Sequence, residues 1–157
     1  MTKILIACSP HKVSLKAAEN YFENLDTEDC YVKVFHLHTP PQIHVNIGGA
    51  QEQRDADAIY EDKEEQMEDK LRNLQHKYNV PEDMFEYVCV DTSNHSNKAD
   101  NIAGEILHEA EKWKADKIVM GCRKSMEKKF LGSVSDIVGQ KAKLFEHPCQ
   151  VVILKEN

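Results

Sequence analysis

Nowhere in the 157 residues does an uninterrupted apolar run approach the roughly twenty residues that cross a bilayer. No membrane role is therefore expected. The first apolar stretch, ILIAC at residues 4–8, is also shorter than the core of a secretory signal, so a cytoplasmic protein is expected. Cys-x-x-Cys spacing is missing too. The five cysteines are odd in number, and Cys8, Cys89 and Cys149 lie in or beside apolar strand-like runs, which favours buried thiols over disulfides. Positive charge is scarce: 20 Lys and Arg against 27 Asp and Glu leave a net charge of −7. A broad nucleic-acid surface needs a basic field, so nucleic acid is excluded as the principal partner. What remains is a chain of 41% apolar residues, long enough for one domain with a real core, read here as a single unit over 1–157.

The hydrophobic pattern alternates between two periods. KILIAC (Lys3–Cys8) reads as a strand buried on both faces, and Ser14–Leu25 has helical spacing. YVKVFHLH (Tyr31–His38) is a second strand, closed by Pro40 and Pro41. Residues 42–53, with Gly48-Gly49, read as a loop. An acidic helix follows over Asp55–Tyr78, with Ile59, Met67, Leu71, Leu74 and Tyr78 on one side and its charge run forming a solvated face. The second half repeats the pattern: strand Phe85–Val90, polar loop Asp91–Asp100, helix Asn101–Trp113, strand Lys117–Met120 ended by Gly121, helix Ser133–Leu144, strand Gln150–Leu154. Five strands alternating with four helices predict an α/β fold, three layers with an open five-stranded, mostly parallel sheet and helices on both faces. Ligands of such sheets bind beyond the carboxyl ends of the strands, where strand order reverses.

The loops after Cys8, His38, Val90 and Met120 are thus the candidates, and the last is the most informative. In GCRKSMEKKFLGSVSD (121–136), Gly121 follows a strand and Gly132-Ser133 opens a helix, so backbone N–H groups, a hydroxyl and a helix dipole converge where an anion would sit. Arg123, Lys124, Lys128 and Lys129 place four positive charges within seven residues of an acidic protein, which favours a polyphosphate. The plainer reading is a turn glycine, an N-cap serine and solvated basic residues.

The run KADKIVMGCRKSMEKKFLGSVSDIV, with KILIACSPHKVSLKAAE, VKVFHLHTP and PCQVVIL in the same order along nearly the whole chain, resembles the universal stress protein family. The resemblance implies a five-stranded parallel fold like that of adenine nucleotide alpha hydrolases. It also implies homodimers joined through the last strand, here Val151–Leu154, and branches that bind an adenine nucleotide beside branches that bind none. The ATP-binding branch carries Gly-x2-Gly-x9-Gly-Ser/Thr. Here Gly121, Gly132 and Ser133 match, Lys124 replaces the second glycine, and ten residues separate Gly121 from Gly132 instead of twelve. Only glycine permits the closest approach of backbone to phosphate, so Lys124 would contact phosphate by its own side chain. Ser9 stands where the family often has Asp, and Pro10 where Gly is usual. Carried over position by position, the resemblance places Ala7, Cys8 and Ser9 beside the adenosine, and Leu37 against adenine. Met120 and Gly121 fall beneath the ribose and phosphates, Arg123, Lys124 and Gly132 in the phosphate loop, and Ser133, Val134 and Ser135 at the helix start. The implied ligand is ATP, or AMP or ADP, with Mg²⁺ accompanying the nucleotide.

Other chemistry has simpler explanations. His36 and His38 alternate on one strand and so share a face, with His44 close behind; hydrogen-bonded or solvent-facing histidines are the expectation, and the metal ligands, if any, are not assigned. Cys8 near Ser9 and His11 reads as a structural thiol, and Trp113 as a helix residue at the sheet edge. No general base is identifiable, so no enzyme class is assigned beyond weak ATP hydrolysis at most. The reading is a nucleotide-binding sensor or regulatory module. The alternatives are a nucleotide-independent dimeric interaction protein and a nucleotidyl transferase, whose HxGH-type motif SPHKVS does not supply.

Overall fold

The computed structural model describes residues 1–9, 12–24, 29–38, 50–91, 99–122 and 133–155. Five strands, β1 (Thr2–Cys8), β2 (Cys30–His38), β3 (Phe85–Asp91), β4 (Lys117–Cys122) and β5 (Gln150–Lys155), alternate with helices α1 (Lys12–Glu23), α2 (Ala50–Lys77), α3 (Ala99–Trp113) and α4 (Ser133–Ala142). All neighbouring strands pair in parallel, in the order β3-β2-β1-β4-β5. The α/β sheet with helices on both faces is the architecture expected from the alternating periods.

Burial explains why the inner strands carry continuous apolar runs. Ile4, Ile6, Val32, Val34 and Val119 meet Ala18 and Phe22 of α1 and Met67 and Leu71 of α2. On the opposite face Leu5, Ala7, Phe35, Leu37, Ile118 and Met120 meet Ala103, Ile106, Leu107 and Ala110 of α3 and Val138 and Ala142 of α4. Both faces of β1 are dry, so successive side chains must all be apolar. Lys33, like His36, is a buried polar residue of β2: its ammonium lies 2.9 Å from Glu109 of α3, 3.7 Å from Glu86 of β3, and 4.4 Å from the centre of the Trp113 ring. Trp113 also meets Tyr31 edge-on at 5.5 Å.

The amino end of the sheet is held by one carboxylate. Asp116 accepts the Lys3 backbone N–H at 2.8 Å and His147 Nε2 at 2.8 Å, while its own N–H and C=O bond to Lys3 and Gln150. It thereby joins the starts of β1, β4 and β5. Helices α2 and α3 close the same way. Asn79 (φ 55°) and Lys114 (φ 58°) adopt the left-handed conformation, and Val80 and Ala115 donate back to the carbonyls of Gln75 and Ala110.

Several boundaries differ from the sequence-based expectation. Helix α2 begins at Ala50 rather than Asp55, because Gln51–Asp55 and Gln53–Asp57 side-chain bonds extend the helical turn backwards. Its buried stripe runs through Tyr60, Met67, Leu71 and Gln75, and Ile59, expected inside, is 58% exposed. Gly121 lies within β4, which continues to Cys122. Helix α4 stops at Ala142, leaving Leu144 exposed. Residues 42–49 and 92–98, with Pro10, His11, Pro40, Pro41 and His44, lie outside the described residues.

Candidate functional site

The sheet order reverses about β1, whose neighbours β2 and β4 lie on opposite sides and continue the chain in opposite directions. On the β2 side the ladder runs to the last residue of β1, Cys8 paired with His36. On the β4 side it ends at Ile6 paired with Val119, before either strand is finished. The two strands therefore part at their carboxyl ends, which is how a crevice opens at a switch point.

One face of this crevice has an apolar floor. Ala7, Leu37 and Met120 belong to the core cluster beneath α3 and α4, yet retain 6%, 6% and 7% exposure where Leu5 and Ile118 behind them have none. Val134, in the first turn of α4, packs against the same cluster. The α4 backbone begins at Ser133, so the unpaired N–H groups and positive end of the helix dipole lie at this level. Ser135 is buried one residue further on. Apolar side chains under a planar ring and a helix N-terminus toward an anion can together accommodate a nucleoside phosphate.

The sequence-predicted residues do not all converge through their side chains. Ala7, Leu37, Met120 and Val134 share the α3/α4 side; Cys8 turns to the α1/α2 side, where complete burial pushes its thiol up to about 12, ruling out thiolate chemistry near neutrality. Ser9 and Gly121 stand at the ends of β1 and β4. Arg123, Lys124 and Gly132, along with Lys128 and Lys129, lie outside the described residues. Cys89, expected to be buried, is exposed, because β3 is an edge strand whose outward positions are not covered; Cys149 is half-buried.

The α1/α2 side of the same strand ends carries a polar group that sequence reasoning resolved only in part. His36 and His38 share a face, as alternation requires. Their common partner is Glu64 of α2: His38 Nδ1 donates to its carboxylate at 2.8 and 2.9 Å, and His36 Nε2 lies 2.7 Å from Oε2. His36 Nδ1 is 2.6 Å from the Tyr87 hydroxyl, and Tyr60 meets the His38 ring edge-on at 5.4 Å. Burial holds His36 below the ordinary histidine range, against the opposing pull of Glu64. Neither Glu64 nor Tyr87 was singled out beforehand. The available signal was that Glu64 falls on the buried stripe between Tyr60 and Met67, an acid where the helix turns inward.

The universal stress protein family model matches residues 1–155. Comparison with curated proteins finds no match. Among solved structures, the universal stress protein UspA of Lactobacillus plantarum superposes with a TM-score of 0.61 at 13% identity, covering 98% of this chain and 97% of that one. A universal stress protein family protein of Arabidopsis thaliana with AMP bound gives 0.60 at 20% identity, over 100% and 93% of the two chains. A universal stress protein in complex with cAMP gives 0.58 at 14% identity, over 98% and 96%. At these identities the likeness shows the fold.

Proposed function

From the premise that the chain belongs to the universal stress protein family, we propose that it is a single-domain adenine-nucleotide-binding module, taking ATP, or AMP or ADP, as a sensor or regulatory protein. The observation that carries this reading is the parting of β1 and β4 at the switch point, over the apolar floor of Ala7, Leu37 and Met120. Adenine stacks on that floor. The phosphates run toward Gly121 and the α4 N-terminus at Ser133 and Val134, with Ser135 one residue further on; Arg123 and Lys124, with Gly132 in the intervening sequence, are the proposed phosphate contacts. Cys8 and Ser9 contribute backbone at the end of β1. No carboxylate stands among Ala7, Cys8 and Ser9, so Mg²⁺ would arrive on the phosphate oxygens rather than be held by an acidic side chain there. Related folds with AMP and with cAMP support the ligand class.

A second reading is a nucleotide-independent homodimer that acts through protein contacts. Ile153 of β5, 37% exposed on an edge strand, favours pairing of two copies through Val151–Leu154. Calorimetric titration with ATP and Mg²⁺, AMP and GTP separates the readings. Micromolar ATP binding that is lost in Gly132→Asp, whose added carboxylate repels phosphate, supports the nucleotide module. No heat with any nucleotide on folded protein leaves the interaction module.

A further inference from the structure

The nucleotide reading makes no use of the polar group on the α1/α2 side of the sheet. His36 pairs in register with Cys8 on one side and Cys89 on the other, so a row of sulfur, imidazole and sulfur crosses three strands beneath α2. Glu64 descends from α2 onto this row. One ligand atom each from His36, Glu64 and Cys89 lies within 4.8 Å of the others.

His36 is the informative member. It is 3% exposed, and among the described residues its Nε2 has no hydrogen-bond partner, although Glu64 Oε2 is only 2.7 Å away. The two atoms are within ion-pair distance, yet they do not meet as a hydrogen bond. A buried ring nitrogen without a partner costs about 1–3 kcal/mol, so its retention needs an explanation. The other ring nitrogen supplies one. With Nδ1–H donated to the Tyr87 oxygen at 2.6 Å, Nε2 carries a lone pair 2.7 Å from a carboxylate oxygen, a repulsive pair that a shared cation makes attractive. Glu64 is itself oriented by His38, and the open pocket of about 300 Å³ alongside is rimmed by Glu61, Glu65 and Glu68. That field draws cations.

We propose that His36, Glu64 and Cys89 form a site for Zn²⁺. One nitrogen, one carboxylate oxygen and one sulfur disfavour Mg²⁺ and Ca²⁺, which take oxygen, and suit a borderline-soft ion. Zinc bonds of about 2.0–2.3 Å place tetrahedral ligands roughly 3.5 Å apart, so His36 Nε2 and Glu64 Oε2 open from 2.7 Å by about 0.8 Å on metal entry, while Cys89, within 4.8 Å, closes by about 1.3 Å at most. Cys89, exposed on an edge strand, is free to make that movement. Water or a rim carboxylate fills the fourth position. Tyr87 and His38 are positioning residues, acting through His36 and Glu64.

The test uses the full chain without nucleotide, and Zn²⁺ and Co²⁺ alone as probes. One equivalent of Co²⁺ is expected to give an intense thiolate-to-cobalt charge-transfer band that Zn²⁺ displaces, and Zn²⁺ should raise the melting temperature. Cys89→Ser, a change at an exposed position that leaves the fold intact by circular dichroism, should abolish both effects. Glu64→Gln should weaken binding more than Tyr87→Phe, for which a loss of about tenfold to a hundredfold is expected. A band that persists in Cys89→Ser, arising from Cys8, Cys30, Cys122 or Cys149, overturns the proposal, as does the absence of any band in the wild-type chain.

Discussion

Replacing Glu109 by alanine would leave the Lys33 ammonium under α3 without its nearest counter-charge. Removing one partner of a buried ion pair costs about 3–5 kcal/mol, because the remaining charge stays desolvated. Here two groups soften the loss: Glu86, 45% exposed and 3.7 Å away, and the face of Trp113 at 4.4 Å. The exposed carboxylate is screened, and a cation over an aromatic ring is worth about 1–2 kcal/mol when desolvated. The expected cost of Glu109→Ala is therefore about 2 kcal/mol. For a chain of this size that lowers the melting temperature by about 4–8 °C and the urea midpoint by about 1 M. Lys33→Met keeps the aliphatic stem against Trp113 and lets Glu109, 20% exposed, turn to water, so it should stay within about 1 kcal/mol of wild type. The double variant Lys33→Met, Glu109→Ala should do the same, giving a coupling of about 2 kcal/mol in the cycle. Urea denaturation of the four proteins is the assay. A Glu109→Ala cost below about 0.5 kcal/mol would show that Lys33 reaches water in solution and would refute the argument.

Two further outcomes follow from the amino end of the sheet. Asp116 is held below the usual carboxylate range, first by the Lys3 backbone N–H and then by His147, so its contribution is fully present above the unfolded value near 4 and is lost as pH falls through its lower folded value. Stability measured by urea titration should thus fall below pH 4 in the wild type, and fall less steeply in Asp116→Asn. Lys114, with φ 58° at the end of α3, carries the left-handed strain of an L-residue, so Lys114→Gly should raise stability by about 1 kcal/mol, read as about 2–4 °C in melting temperature.

The alternating architecture was legible because both faces of the sheet are covered. A continuous apolar run such as ILIAC, and a β-branched and aromatic one such as YVKVF, have few other uses, and the helices between them carry a clear inward period. The phase of α2 was harder. Ile59 is the more apolar neighbour of Tyr60, but Tyr60 reaches the His38 ring, and that tertiary contact sets which of the two turns inward. Glu64 was hidden for a related reason: in a helix crowded with acids its one mark is its spacing from Tyr60 and Met67, and a stripe phased on Ile59 misses it. The alternation pointed to the carboxyl ends of the strands and four candidate loops, and the strand order β3-β2-β1-β4-β5 places the crevice between β1 and β4. The His36–Glu64–Cys89 group depends on a register between β2 and β3 and on the seating of α2, neither of which a linear pattern encodes.

The position of β1 at the centre of the sheet has a consequence for how the chain folds. Its pairing with β2 joins Thr2 to Cys30, whereas its pairing with β4 joins Ile4 to Lys117, across a separation four times as long. Two doublings of loop length add about 1.2 kcal/mol of closure entropy, so the β1-α1-β2 unit can organise while the other edge of β1 still waits. During synthesis that edge stays open until most of the chain has been made. Asp116, immediately ahead of β4 with bonds to both the N–H and C=O of Lys3, ties that late-arriving edge to β1 in the register in which the sheet is completed.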